Sequence, residues 1–429
     1  MIQKIFLFTI IAIGACTVPV RAQVKSGNND VPDSSIIYVN GDGMYINFGT
    51  KDKFQLNLNG ILSPGFQFRS YNVNGEVTKQ NQMSINLARL SLNFSAFNGL
   101  MTAAVKADFT GTSPLLEAWV AYNSANQHHS FILGERQAIS NNRLALEDEK
   151  YASTLGPTIN GSSNDGSIYG GLMQNFVVTT REGGLFYKTN FTIGRSRIYG
   201  ALSITSGQGQ SINSTQTNLG LKYGGRIDIM PMGDFIKNNA FISQDIYFEQ
   251  TPKLGIGIAG SYAVKATTPV AGSSDNATGI YNQDGEATNA DYKKLVADLI
   301  FKYQGFAFVA EYTDATVYGK NLYTDAASTK ELTPETASAK YSIGDAFNFQ
   351  ASYVWKNGWA LEGRYTIVTP EFNVENSIVQ KQNWCTGSFN KYLKNYAIKI
   401  GINATYIDES AVTGSTYTWI SNLAIQLSF

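Results

Sequence analysis

Cysteine is almost missing from this chain: two in 429 residues, Cys16 and Cys385. If the first of them leaves with an N-terminal leader, Cys385 stands alone. No internal disulfide can then form, and an exported chain needs another source of rigidity. Histidine is as scarce. His128 and His129 are adjacent and too few for a typical histidine-based metal cluster; they read as surface residues at a strand start. Beyond the N-terminal leader no stretch of eighteen apolar residues occurs, which excludes a bundle of membrane-spanning helices. Charge of one sign is lacking too, with 33 Lys+Arg against 33 Asp+Glu. Without a basic excess or a zinc-finger spacing, nothing points to nucleic acid.

The N-terminus supplies the compartment. Lys4 precedes an apolar run from Ile5 to Gly14, and Val20-Arg21-Ala22 precedes Gln23. A basic start, an apolar core too short to span a bilayer and a small-residue cleavage site make a secretory signal. The expected division is a signal peptide over 1–22, a short segment over 23–42 and one large unit over 43–429. A lipoprotein signal at Ile13-Gly14-Ala15-Cys16 is the competing reading. Loss of Lys4 and Arg21 leaves 31 basic and 33 acidic residues, a mature net charge of about −2.

What the chain does have is aromatics and glycine: 24 Tyr, 24 Phe and 40 Gly against 10 Pro. Mean hydropathy is −0.15, as expected of a barrel that averages an oily outside with a wet lumen. The C-terminal stretch Tyr417–Phe429 puts Trp419, Leu423, Ile425, Leu427 and Phe429 on one parity. Thr418, Asn422, Gln426 and Ser428 fall on the other. Alone, that is equally an edge strand of a soluble sheet.

The rest of the chain repeats the pattern. Ala88, Leu90, Leu92, Phe94 and Ala96 oppose Arg89, Ser91, Asn93 and Ser95. After Asn98-Gly99, a favoured hairpin pair, Met101, Ala103, Val105, Ala107 and Phe109 oppose Thr102, Lys106 and Asp108. Similar rows run through 186–191, 219–226, 295–303, 306–312, 347–355, 359–367 and 396–406. Connections alternate between tight pairs (Asn98-Gly99, Gln304-Gly305, Asn357-Gly358) and long polar stretches near 263–290, 315–344 and 370–390. One short end and one long end is the outer-membrane arrangement. Tyr122, Tyr303, Tyr312, Trp355, Trp359, Tyr406 and Trp419 fit an aromatic girdle. The only helical candidate is a turn or two within Leu144–Leu155. The sequence thus predicts an all-β transmembrane antiparallel barrel of sixteen strands, in the outer membrane of a Gram-negative bacterium.

Several segments, in order, resemble the phosphate-selective porins of the O and P type. Ala88-Arg89-Leu90-Ser91-Leu92 with Val105-Lys106-Ala107-Asp108-Phe109 is similar to that family's opening hairpin. The likeness continues through Leu116–Tyr122 and Leu133-Gly134-Glu135-Arg136. Gly225-Arg226-Ile227-Asp228 with Pro231–Phe235 resembles a periplasmic turn of Bacteroidota members, and Gly387–Ile400 a penultimate strand. The resemblance implies sixteen strands, a homotrimer and a third extracellular loop folded inward. On this chain that loop matches Arg136 to Pro157. It would set Arg136, Arg143 and Lys150 against Glu147, Asp148 and Glu149 at a pore constriction; an ordinary solvated loop is the alternative.

Parity places Arg89, Lys106, Lys188, Lys222, Arg226, Lys302, Arg364 and Lys399 in the lumen, facing Asp108, Glu117, Asp228, Asp298, Glu311 and Glu362. Polar walls of this kind replace part of an ion's hydration shell, although such charges also pair across strands and stiffen the wall. The arginine ladder and lysine cluster described for phosphate-selective members have no obvious counterpart here. The expected function is passive diffusion of small hydrophilic solutes and ions, anions such as phosphate among them, with no cofactor and no metal. The expected partners are outer-membrane lipid and the solutes in transit. A barrel with adhesive or partner-binding loops, a specific sugar or peptide channel and an outer-membrane enzyme are the alternatives. Enzyme chemistry is disfavoured because no motif surrounds the histidine pair that could activate a nucleophile. Intact-mass measurement of protein recovered from the envelope should give a chain beginning at Gln23; a lipid-modified Cys16 would reverse that expectation.

Overall fold

The computed structural model describes residues 35–49, 53–73, 75–110, 114–152, 172, 175–176, 181–206, 220–266, 279–394, 396–411 and 414–429. The expected signal segment, Cys16 and the chain up to residue 34 lie outside them. A hairpin, β1 (Ser35–Val39) and β2 (Gly43–Phe48), precedes the wall. The wall begins with β3 (Phe54–Val73), β4 (Glu76–Ala96), β5 (Met101–Asp108) and β6 (Leu115–Asn123). It continues through β7 (His129–Gln137), β8 (Arg181–Ile193), β9 (Ser196–Thr205) and β10 (Lys222–Met230). The second half is β11 (Lys253–Ala263), β12 (Asp291–Tyr303), β13 (Phe306–Tyr318) and β14 (Gly344–Val354). Last come β15 (Trp359–Pro370), β16 (Lys381–Leu393), β17 (Ile398–Ala411) and β18 (Gly414–Ser428).

From β3 to β18 each strand pairs antiparallel with the next, and β18 returns to β3 in a register running from Ile61 with Ser428 to Val73 with Thr416. The result is a closed barrel of sixteen strands. The final residue completes the seam: the Phe429 amide donates to the Gly60 carbonyl at 2.9 Å, and the Gly60 amide to the Phe429 carbonyl at 2.6 Å. Below the seam, β2 takes the place beside β3, pairing Met44–Phe48 with Leu58–Phe54. The ring itself therefore starts at Phe54. Pro64, which has no N–H to give, sits where the β3–β4 register shifts, a bulge that accommodates it.

The two-residue alternation is real geometry. Leu90, Leu92, Phe94, Val105, Phe349, Leu361, Ile402 and Leu423 are exposed on the outside, while Arg89, Ser91, Gln350, Glu362, Asn403 and Asn422 are buried inside. Free Cys385 is exposed on the outer face, in register with Tyr365 and Tyr406. Turns at one end are tight. Gln304 and Gly305 both take positive φ, 49° and 91°, the conformation of a two-residue hairpin whose twist matches the strands. Tyr122, Tyr303, Trp355 and Trp359 are exposed near this end, and Tyr262, Tyr318, Tyr417 and Trp419 towards the other. That is the paired girdle of a barrel seated in lipid.

Four expectations are corrected. Tyr312 belongs to neither girdle; it lies mid-strand with its ring 4.7 Å from that of Phe347. Tyr396, expected to extend the outer row of β17, lies in the turn before it at φ 67°. Its hydroxyl donates to the Ile246 carbonyl at 2.5 Å. The long connection near 370–390 is narrower than expected, residues 371–380, since β15 runs to Pro370 and β16 starts at Lys381. Finally, a helix absent from the sequence reading, α1 (Pro334–Lys340), forms inside the 319–343 loop. Pro334 lies in its first turn, and the Thr333 side chain caps it by accepting from the Thr336 amide. Leu144–Leu155 holds only a short 3-10 turn at Leu144–Leu146 among its described residues.

Ile402 lies on the lipid face of β17 with 53% exposure. Ile402→Arg should destabilise the folded barrel by ~2–4 kcal/mol, the cost of a guanidinium near the bilayer midplane. Asn403→Arg, one residue on and facing inward, should cost less. Reversible denaturant unfolding in lipid vesicles measures both, and equal costs would contradict the assigned faces.

Candidate functional site in the barrel interior

Two segments enter the barrel and meet. The first follows β7, residues 138–152; the second links β10 to β11, residues 231–252, at the end where the other connections are short. Both carry side chains pinned to the wall, so the interior is a set of charged and hydrogen-bonded clusters rather than an open tube.

On the β4–β6 side, Glu149 receives three cations. Arg89 bonds it directly, Arg181 reaches it at 2.8 Å and Lys106 at 3.2 Å. Burial alone would raise the Glu149 carboxyl, but Lys106, Arg89 and Arg181 outweigh it and hold it well below its ordinary range. Arg89 also holds Asp108 at 2.7 Å, and Arg181 holds Glu117 at 3.0 Å. Asp148 accepts from the Lys150 amide at 3.0 Å and lines, with Glu149 and Lys106, a cavity of 120 Å³ beside β3–β5. Lys150 pairs with Asp42 of the β1–β2 turn.

Opposite, Arg143 leaves the inward segment for β10 and β12. It meets Asp228 at 2.6 Å, Asp298 at 2.8 Å and the Ala240 carbonyl at 2.8 Å. Arg226 holds the same two aspartates at 2.8 Å each, and both guanidinium groups lie over Phe241, at 5.0 and 5.9 Å. Two cations and two anions thus neutralise each other out of water, where removing any one would strand its partners. Arg143 is 1% exposed. Further along, the Leu144 amide donates to Glu311 at 2.8 Å, Asn142 to Thr313 at 2.7 Å and Lys294 to Asn141 at 2.7 Å. Lys399 donates to the Ala152 carbonyl, and Gln426 to the Lys150 carbonyl at 3.0 Å.

The 231–252 segment is held as firmly. Lys302 donates to the Asn239 carbonyl and side-chain oxygen, both at 2.6 Å, and to the Gln244 carbonyl at 2.7 Å. Asp245 accepts from the Gly305 amide at 2.7 Å, and the Tyr392 hydroxyl donates to Gln244 at 2.6 Å. Glu147 joins the two segments by accepting from the Ser243 amide at 2.6 Å and its hydroxyl at 2.8 Å. Their contact has an apolar core of Leu144, Ala152, Met230, Phe235, Ala240, Ile300 and Val309. Above β11–β16 a second apolar cluster includes Ile280, Tyr292, Ala337, Tyr341 and Val379. There the strands of chain 279–290 and 319–343 bridge at Tyr281 and Tyr323, 2.8 and 2.9 Å between backbone N and O. These long loops fold down as a cover.

The open space lies elsewhere, along β7–β10. A cavity of about 470 Å³ runs from the turn bearing Gln127 and His128 up to Ile139 and Leu146. Arg136, Lys188, Arg226 and Asp228 line it. Lys222 pairs with Glu182 and Arg364 with Glu362 at 3.5 Å. Every sequence-derived lumen position among the described residues therefore points inward, and most are engaged with an opposite charge or a carbonyl. The sequence reading missed Arg181, Glu182, Lys294 and Asp245; it had Pro231–Phe235 as part of a periplasmic turn and missed that the 231–252 segment enters the barrel. Its length was a usable signal: twenty-two residues between strands at an end where turns of two to six are the rule. His128 sits at the cavity mouth, its Nδ1 2.9 Å from Asn190 Oδ1.

No family model and no curated protein matches the chain. Solved structures do. The outer membrane channel DcaP of Acinetobacter baumannii superposes with a TM-score of 0.50 at 12% identity, covering 88% of this chain and 97% of that one. An anion-selective porin from Comamonas acidovorans gives 0.50 at 11%, covering 88% and 100%. At that identity the likeness is one of fold, and the fold is that of Gram-negative outer-membrane porins.

Burial pushes the Glu147 carboxyl up to about 7, against the lowering effect of the Ser243 hydrogen bonds and Lys302 and with the help of Glu362. A folded-state value above the unfolded 4.5 means the folded form holds the extra proton. Stability from this group is then full below about pH 4.5 and is lost as pH rises to about 7. Hydrogen exchange at the Ser243 amide, corrected for intrinsic rate, should show weaker protection at pH 8 than at pH 5, and Glu147→Gln should flatten the difference. Equal protection in the unmodified protein at both pH values would contradict it.

Proposed function

We propose that this chain is an outer-membrane porin for passive diffusion of small hydrophilic solutes and ions, with anions such as phosphate among them. The observation that carries the reading is a closed barrel, oily outside, whose polar interior keeps a cavity of about 470 Å³ against one wall and a smaller one beside β3–β5. Solutes pass along β7–β10 in this reading, where Arg136 and Lys188 face the space. The segment carrying Arg143, Glu147, Asp148, Glu149 and Lys150 forms the narrowing opposite them, its own charges fixed by the wall. Arg143 acts by holding that segment in place, and Arg136 and Lys188 set the sign of the field that an ion feels. The homotrimer implied by the family resemblance is part of the same proposal.

Purified protein reconstituted in planar bilayers tests this. Stepwise conductance is expected, with a reversal potential under a salt gradient that favours anions. Arg136→Gln should move that potential towards zero while leaving conductance within about twofold. A barrel that inserts and carries no current would overturn the porin reading, and preference for cations would overturn the assigned field.

A further inference from the structure

We propose that the β7–β10 cavity is a binding site for small organic anions, a carboxylate carried on an apolar body. The inference rests on the porin reading only for what delivers the ligand; the site itself stands on its side chains. Arg136 lies over two aromatic rings, its Cζ 5.5 Å from the centroid of Trp119 and 5.7 Å from that of Phe186. Stacking occupies the face of a guanidinium and leaves its N–H edge free to bind a carboxylate in two-point fashion. On that edge, Arg136 Nε is buried without a hydrogen-bond partner. Lys188, two residues from Phe186 on the same inward parity of β8, lines the same space. No ion pair to it is found among the described residues.

The carboxylates that could neutralise these two cations are committed elsewhere. Glu117 is held by Arg181 at 3.0 Å. Asp228 sits between Arg143 and Arg226 at 2.6 and 2.8 Å, and Asp234 accepts from the Tyr199 hydroxyl. Arg136 and Lys188, both partly exposed, therefore offer the cavity two positive charges with no ion pair of their own among the described residues, and an anion placed there completes both. Its other side is apolar: Ile139, Leu146 and Phe241 line it. A bare inorganic anion placed there would have oxygens facing carbon and would lose the hydration it had in water. An aromatic or short aliphatic carboxylate satisfies both halves, and about 470 Å³ is in the range of pockets for small organic ligands.

Titration calorimetry on the folded barrel in detergent micelles tests the site apart from conduction. The probes are benzoate, its neutral isostere benzamide, and inorganic phosphate. Benzoate should bind at least about tenfold more tightly than either of the others. Arg136→Gln and Lys188→Gln should each weaken benzoate at least about tenfold, and Arg136→Lys should retain part of the affinity. Mobility of unheated samples on denaturing gels establishes that each variant is folded; if Arg136→Gln does not fold, Lys188→Gln and Arg136→Lys carry the test. Equal binding of benzamide, phosphate binding as tightly as benzoate, or no loss in Lys188→Gln would each overturn the proposal. A barrel that binds benzoate but carries no current would sink the porin reading and leave the site; current without benzoate binding would do the reverse.

Discussion

A backbone in hydrocarbon must satisfy its own N–H and C=O groups, and everything else in this molecule follows from how that is done. The sixteen strands leave no edge because β18 closes on β3 and the last residue exchanges two hydrogen bonds with Gly60. A chain cut short by a few residues would expose β3 as a row of orphaned polar groups in lipid, where no water can relieve them. Closure also fixes the alternation. Once the ring exists, each side chain has one of two destinations, and Leu423 beside Asn422 records that choice residue by residue.

The interior carries a second constraint of the opposite kind. Outside, apolar atoms meet lipid without specificity. Inside, charges are stripped of much of their water and must be matched. Glu149 among Arg89, Lys106 and Arg181, and Arg143 between Asp228 and Asp298, act as fasteners that draw residues 138–152 across the barrel. Lys302 fastens residues 231–252 from the other end. Low local dielectric strengthens each contact and makes each unpaired charge expensive. Matching extends to the lysines of β12, where Lys294 and Lys302 are held by side-chain and carbonyl oxygens. It is incomplete beside β7–β10, where Arg136 and Lys188 face open space, and the candidate activity falls there.

The wall was legible because strand geometry has a period of two, which a reader can follow without knowing any partner. Rows such as Leu90–Leu92–Phe94 against Arg89–Ser91–Asn93 needed no tertiary information. Where two rules compete, legibility fails. Ile300 and Val309 are apolar yet face inward, because the two inserted segments give them an apolar partner. Tyr396 continues a row in sequence but turns inward to reach the Ile246 carbonyl. The α1 helix is too short to show a period and is held by its Thr333 cap and by packing.

By itself the sequence determined the class of the fold, the strand number to within one, the faces of most wall residues and the inward direction of the charged ones. These depend on local alternation and turn chemistry, which neighbours in the chain encode. Only the tertiary structure decided which charges are spent on one another and which are left over. Arg143 and Arg136 lie seven positions apart with the same side chain; one is locked between two aspartates of β10 and β12, the other lies over the rings of Trp119 and Phe186 with its Nε unpartnered. The difference comes from partners 85 and 155 residues away for Arg143, a pairing that exists only after the barrel has closed around the segment that carries it.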